Sequence, residues 1–210
     1  MASQDLSARI VAAALEQFGR LGFDGASTRD IARAAGTAMS SITYHFGGKQ
    51  GLYVACADHI AEIVAENRRP VVEAIAADPP TSPEAARAAL IMLIENLGRL
   101  MLSPRSATFA QFIVREQQHP TEAFERLYAR MMRPVLETAL LLIDIARPSL
   151  ADAERRALLA NAVGMALVLR LARATVSRIM QVETLDEATA DLLLASLRCN
   201  ALSLLKEPAP

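Results

Sequence analysis

Residues 27–53 read Ser-Thr-Arg-Asp-Ile-Ala-Arg-Ala-Ala-Gly-Thr-Ala-Met-Ser-Ser-Ile-Thr-Tyr-His-Phe-Gly-Gly-Lys-Gln-Gly-Leu-Tyr, and this stretch decides the fold. Ser27 and Asp30 fit a helix-start pattern in which side-chain oxygens satisfy free amides. The spacing predicts a short helix over Thr28–Ala35 with Ile31, Ala34 and Ala35 facing inward. Gly36 ends it where a left-handed residue is wanted. A second short helix is predicted over Met39–Phe46, burying Ile42 and Phe46 at i,i+4, before Gly47-Gly48 breaks the chain. Ala38 is a poor cap for that helix, so Thr37 is expected to take the role. Two short helices about a tight glycine turn, packed on a longer one, make a helix-turn-helix.

Working outward, Leu6, Ile10, Ala14 and Phe18 recur every four residues and predict the supporting helix over Leu6–Leu21, stopped by Gly22. Downstream, helices are predicted over Lys49–Ala77, Pro83–Leu102, Pro104–Gln118, Pro120–Ala146, Ala151–Ile179 and Asp186–Leu205. Pro83, Pro104 and Pro120 suit first helical turns, whereas Pro134 should kink its helix. The ends, Met1–Asp5 and Lys206–Pro210, should fray. With 52% hydrophobic residues, much of it Ala and Leu, and no alternating strand pattern, the fold class is all-α with about nine helices. The expected division is a helix-turn-helix domain over 1–50 and a helical ligand-binding and dimerisation domain over 51–210.

Net charge is −1, which excludes a general nucleic-acid coat. In the first fifty residues Arg9, Arg20, Arg29, Arg33 and Lys49 barely outnumber Asp5, Glu16, Asp24 and Asp30. DNA binding must then come from a few placed contacts, doubled by dimerisation. A reading helix lies in the major groove. Here it would expose Met39, Ser40, Thr43 and Tyr44, opposite Ile42 and Phe46. Arg29 can reach a base edge or a phosphate, and Lys49, at a helix start, can grip a phosphate. Cys56 and Cys199 form no metal spacing, and no cofactor or metal site is expected. The longest apolar run, 157–172, is too short for a bilayer, so no membrane partner and a cytoplasmic location are expected.

Residues 28–53 resemble the DNA-binding domain of the TetR family of repressors, whose pattern is T-x-x-x-I-A-x-x-A-G … Y-x-H-F-x-x-K-x-x-L. The resemblance implies phosphate contacts at Thr28, Tyr44, His45 and Lys49, and base reading by Arg29, Met39, Ser40 and Thr43. Thr43 stands where the family usually has an aromatic, and Ala38 where it has a Ser-type cap. Residues 51–210 resemble the CecR-like (YbiH-like) subgroup through Leu52-Tyr53-x-Ala55-Cys56-Ala57 and Phe112-Ile113-x-Arg115-Glu116-Gln117-x-x-Pro120-Thr121. That implies a response to small toxic or antibiotic-like compounds.

Met92, Asn96, Phe109, Phe112, Tyr128, Met131 and Met132 offer adaptable apolar walls for a small-molecule effector, with Arg115, Glu116 and Arg170 as polar groups. The last two helices are apolar on more than one face. They predict a homodimer bound to a pseudo-palindromic double-stranded operator. The resulting expectation is a ligand-responsive transcriptional regulator, a repressor released by a largely apolar effector. The alternative is a helical small-molecule-binding protein without DNA binding. An enzyme is not expected: Glu116-x-x-His119 has the i,i+3 spacing of di-iron bundles but lacks a second such pair.

Overall fold

A computed structural model describes residues 2–206, with side chains from Asp5 onward; the fraying expected at Met1 and at 207–210 lies outside the described residues. Eleven α-helices are described: α1 (Ala2–Gly25), α2 (Thr28–Ala34), α3 (Met39–Phe46), α4 (Lys49–Ala77), α5 (Pro83–Leu102), α6 (Pro104–Gln118), α7 (Glu122–Leu127), α8 (Arg133–Ala146), α9 (Asp152–Leu171), α10 (Arg173–Ile179) and α11 (Glu187–Leu205). A π-helical turn, Tyr128–Met132, joins α7 to α8. The chain forms two compact units, each discontinuous in sequence: residues 1–65 with 107–133, and 66–106 with 134–210.

The first unit is built on the stripe that its sequence announces. Ile10, Ala14 and Phe18 of α1 are fully buried with Ile31 of α2 and Ile42 of α3, and with Leu52, Cys56 and Ile60 of α4. Ala32, not Ala34, shares the inner face of α2 with Ile31 and Ala35. α2 ends in a Schellman turn, with Gly36 at φ 64° and Thr37 N–H donating to Ala32 O at 2.9 Å. The expected caps differ in detail. Ser27 is the N-cap of α2 but its side chain accepts no amide, and the Asp30 carboxylate pairs with Arg33 at 2.9 Å. Ala38 is the N-cap of α3, and the Thr37 hydroxyl pairs with that of Ser41 at 2.9 Å. α1 runs past its expected stop to Gly25, across an interruption at Gly22 (φ 76°, ψ 178°).

Two predicted long helices are broken. Pro134 lacks a donor and crowds the preceding turn, and the chain answers by widening that turn: Arg133 N–H donates to Tyr128 O, an i→i+5 bond. The expected helix over 151–179 bends by 87° between α9 and α10. That bend brings Arg170 and Arg173 to the end of α5. Arg170 Nε donates to Met101 O at 2.8 Å, its Nη2 donates to Ser103 O, and Arg173 donates to Leu102 O at 3.4 Å.

In the second unit α5 packs between α9 and α11. Gly98 makes this possible: a Cβ there would lie 2.6 Å from Leu197 Cδ2. All but two of the 22 basic residues are arginines, and several close helix ends that have no basic residue in their own last turn. Arg147, 7% exposed, donates to Leu204 O and Lys206 O at the end of α11 (3.2 and 2.8 Å). Arg87 donates to Ala146 O at the end of α8 (3.3 Å). The planar guanidinium fork suits such paired carbonyls.

Candidate nucleic-acid interface

Ile42, 1% exposed, pins one side of α3 to the core and thereby fixes which side faces out. Met39, Ser40, Thr43 and Tyr44 follow at offsets that share one helical face, and all four are exposed, Tyr44 at 85%. Three of these side chains are short or flexible enough for the backbone to approach base edges, and the Tyr44 hydroxyl is free to reach a phosphate. Gly47 (φ 73°) closes α3, and its N–H donates to Thr43 O at 2.9 Å.

Around this face, Arg29 is exposed on α2 and Thr28 is half-buried at its first position. His45 turns back toward α1, with Nδ1 3.4 Å from Ser7 Oγ and its ring edge-on to Tyr44 at 5.0 Å. It therefore props Tyr44 from the side of α1. Lys49 Nζ donates to Asp24 O at 3.3 Å and lies 4.7 Å over the Phe23 ring. A neutral carbonyl is a weaker acceptor than a phosphate, so this ammonium is held in place yet exchangeable.

Gly51, inside the motif, carries its geometry. A Cβ at Gly51 would stand 1.8 Å from Phe46 O, so α3 and α4 meet only because this residue has no side chain. A glycine inside a helical pattern is the signal that marks such an approach.

The proposed effector residues divide between the two units. Met92, Asn96 and Arg170 belong to the second unit. Phe109, Phe112, Arg115, Glu116, Tyr128, Met131 and Met132 belong to the first. Phe109, Phe112 and Met131 are buried there, while Met92 is 41% exposed. Tyr128 stacks on Phe124 at 6.1 Å with Arg133 over its ring at 5.3 Å, and the Met132 sulfur accepts from Gln117 at 3.9 Å. A cleft of about 440 Å³ in the first unit is lined by Arg115 and Glu116, with Phe23, Tyr53, His119 and Thr121 among its other walls.

Arg115 and Glu116 are both engaged with neighbouring elements of the first unit. Arg115 donates from Nε to Gly19 O and from Nη2 to Arg20 O, each at 2.9 Å. Glu116, 1% exposed, accepts from Tyr53 Oη at 2.6 Å and from the Thr121 amide and hydroxyl at 3.2 and 2.9 Å. Three neutral donors thus hold the carboxyl group in place. Burial, then the Glu116 bond, push the Tyr53 phenol well above its ordinary range. Nothing in the local sequence pairs residues 53 and 116. In the second unit the sequence also gave no sign of Asn67, whose carbonyl accepts from Asn96 at 3.3 Å while its buried Oδ1 has no protein partner.

An exposed reading helix set by a buried isoleucine, beside a poised lysine and propped by a turn glycine, defines a helix-turn-helix regulator. The comparisons with known proteins agree. The tetR family of bacterial regulatory proteins matches residues 10–56, and the C-terminal domain of the HTH-type transcriptional dual regulator CecR matches residues 86–207. The chain is 32% identical to the HTH-type transcriptional dual regulator CecR of Shigella flexneri, over 91% of this chain and 87% of that one. It is 37% identical to the HTH-type transcriptional regulatory protein RaaS of Mycobacterium tuberculosis, over 63% of this chain and 55% of that one. A TetR-family structure from Streptomyces coelicolor A3 superposes with a TM-score of 0.56 at 25% identity, covering 91% of this chain and 97% of that one. The chain belongs to the TetR family, in the branch with a CecR-type C-terminal domain. It is a DNA-binding, ligand-responsive transcriptional regulator, and the known proteins it matches are regulators rather than enzymes.

Proposed function

We propose that this chain acts as a homodimeric repressor that leaves a pseudo-palindromic operator when a small, largely apolar effector binds its helical body. The observation that carries the reading is the exposed face Met39, Ser40, Thr43 and Tyr44, with Arg29 and Lys49 at its margins. Thr28, Tyr44, His45 and Lys49 would take phosphates, and Arg29, Met39, Ser40 and Thr43 would take base edges. In a dimer the two reading helices match successive major grooves at about 34–36 Å. An operator-bound role puts the chain in the cytoplasm with the chromosome.

Apolar residues left exposed on the second unit support pairing: Leu141, Val168, Leu171, Ile179 and Leu192. Ala162, Leu169 and Val176 are buried within their own chain, so pairing would fall to these exposed positions. α11 is long and apolar enough to cross a membrane, but it packs on α5 through buried Leu194, Leu197, Ala201 and Leu205. For the effector, Asn67 Oδ1 beside Asn96 supplies an unspent buried acceptor. Effector binding would shift α4, which contributes residues to both units. Such release requires unequal effector affinity for the free and DNA-bound states.

Fluorescence anisotropy on duplexes from the chain's own upstream region tests the reading. Lys49→Ala should weaken binding at every sequence and reduce the salt slope by about 1. Absence of wild-type binding to any upstream duplex would favour the alternative of a small-molecule binder without DNA.

A further inference from the structure

We propose that Arg115 and Glu116 are positioning residues for operator binding: side by side on α6, they grip α1 and α4 of the reading head and set where Lys49 stands. The inference rests on the regulator reading above and deepens it.

Arg115 satisfies Gly19 O and Arg20 O at the place where Gly22 interrupts α1, a helix with no basic residue in its last turn. A Cβ on Gly22 would lie 3.1 Å from Arg115 Nη1, so this glycine leaves room for the guanidinium. The segment that Arg115 caps leads directly into Phe23 and Asp24, which hold Lys49.

Glu116 reaches the same lysine by a second route. Its bond to Tyr53 fixes the phenol at 2.6 Å; Tyr53 stands edge-on to Phe23 at 5.1 Å, and Lys49 rests over Phe23 at 4.7 Å. A buried carboxylate held by uncharged donors is costly to keep, and apolar replacements commonly stabilise a core better. What such a bond supplies is direction: it is made or broken at one geometry, whereas apolar contacts slide. The same α6 carries both grips and begins at Pro104, among residues of the other unit. A movement of α6 therefore reaches Lys49 through two discrete polar contacts.

A double-mutant cycle reads this coupling. The probe is an upstream duplex selected for wild-type binding, with active fraction determined by stoichiometric titration. Tyr53→Phe should weaken the Kd of the active fraction by about five- to tenfold, the size of one lost hydrogen bond of ordinary strength. In a Lys49→Ala background the same change should cost less than about twofold, because the group being positioned is gone. A purely structural role would lower Tm and active fraction while leaving the Kd of the active molecules unchanged. Should Tyr53→Phe fail to fold, Glu116→Gln enters the same cycle with the same expectation. Equal factors in both backgrounds, or an unaltered Kd, overturn the proposal while the regulator reading stands. Failure of the wild-type chain to bind any upstream duplex overturns both.

Discussion

Replacing Gly51 with alanine sets two physical effects against each other. Inside a helix the change gains up to about 1 kcal/mol, because alanine loses less backbone freedom on folding. Here the new methyl would start 1.8 Å from Phe46 O, and the ends of α3 and α4 must part by about 1.2 Å to restore even 3.0 Å. Both walls are main chain, pinned by Gly47 at φ 73° and by the Leu52 N–H bond to Gly48 O, so no rotamer change relieves the contact. Overpacking typically costs about 1–3 kcal/mol, and a backbone wall belongs at or beyond the upper end. The net loss should be about 2 kcal/mol, lowering Tm by roughly 4–8 °C for a chain of this size. Differential scanning calorimetry reads the Tm. Anisotropy on the upstream duplex should show weaker binding, since the displaced element is the reading helix. An unchanged or raised Tm would refute the reasoning, because it would mean propensity outweighs sterics at this junction.

Tyr53 offers a pH test. Its folded-state pKa is raised, so its contribution to stability is whole below the unfolded value of about 10 and is lost as pH climbs beyond it. Absorbance at 295 nm should show no more than two of the three tyrosines ionising before the chain unfolds; three titrating in the native state would contradict the buried Glu116 bond. In the second unit, Leu197→Ala should cost about 3 kcal/mol in urea unfolding. Adding Gly98→Ala should recover part of that loss by filling the vacated space, and strict additivity of the two changes would count against the packing described. Leu192→Arg, on the exposed face of α11, should shift the chain from dimer to monomer at micromolar concentration in sedimentation velocity, and a persistent dimer would move the interface elsewhere.

Periodicity made most helices legible, because burying Ile10, Ala14, Phe18 and Ile42 requires spacings of three and four that any reader of the chain can see. The reading head was equally plain, since its turn glycine, cap region and lysine lie within one short stretch. The motif by itself determined the fold class, the family and the exposed face of α3, for all three depend on local order along the chain. What it could not determine depends on residues far apart in sequence. The split at Ala172, the widened turn before Pro134 and the arginine closures of α5, α8 and α11 arise from partners brought together only by packing. The same holds for Arg115 and Glu116, which the chain offers as polar effector contacts. Tertiary structure ties them to Gly19, Arg20 and Tyr53 at separations of 96, 95 and 63 residues. A helical period says which way a side chain points, and only the folded chain says what it meets.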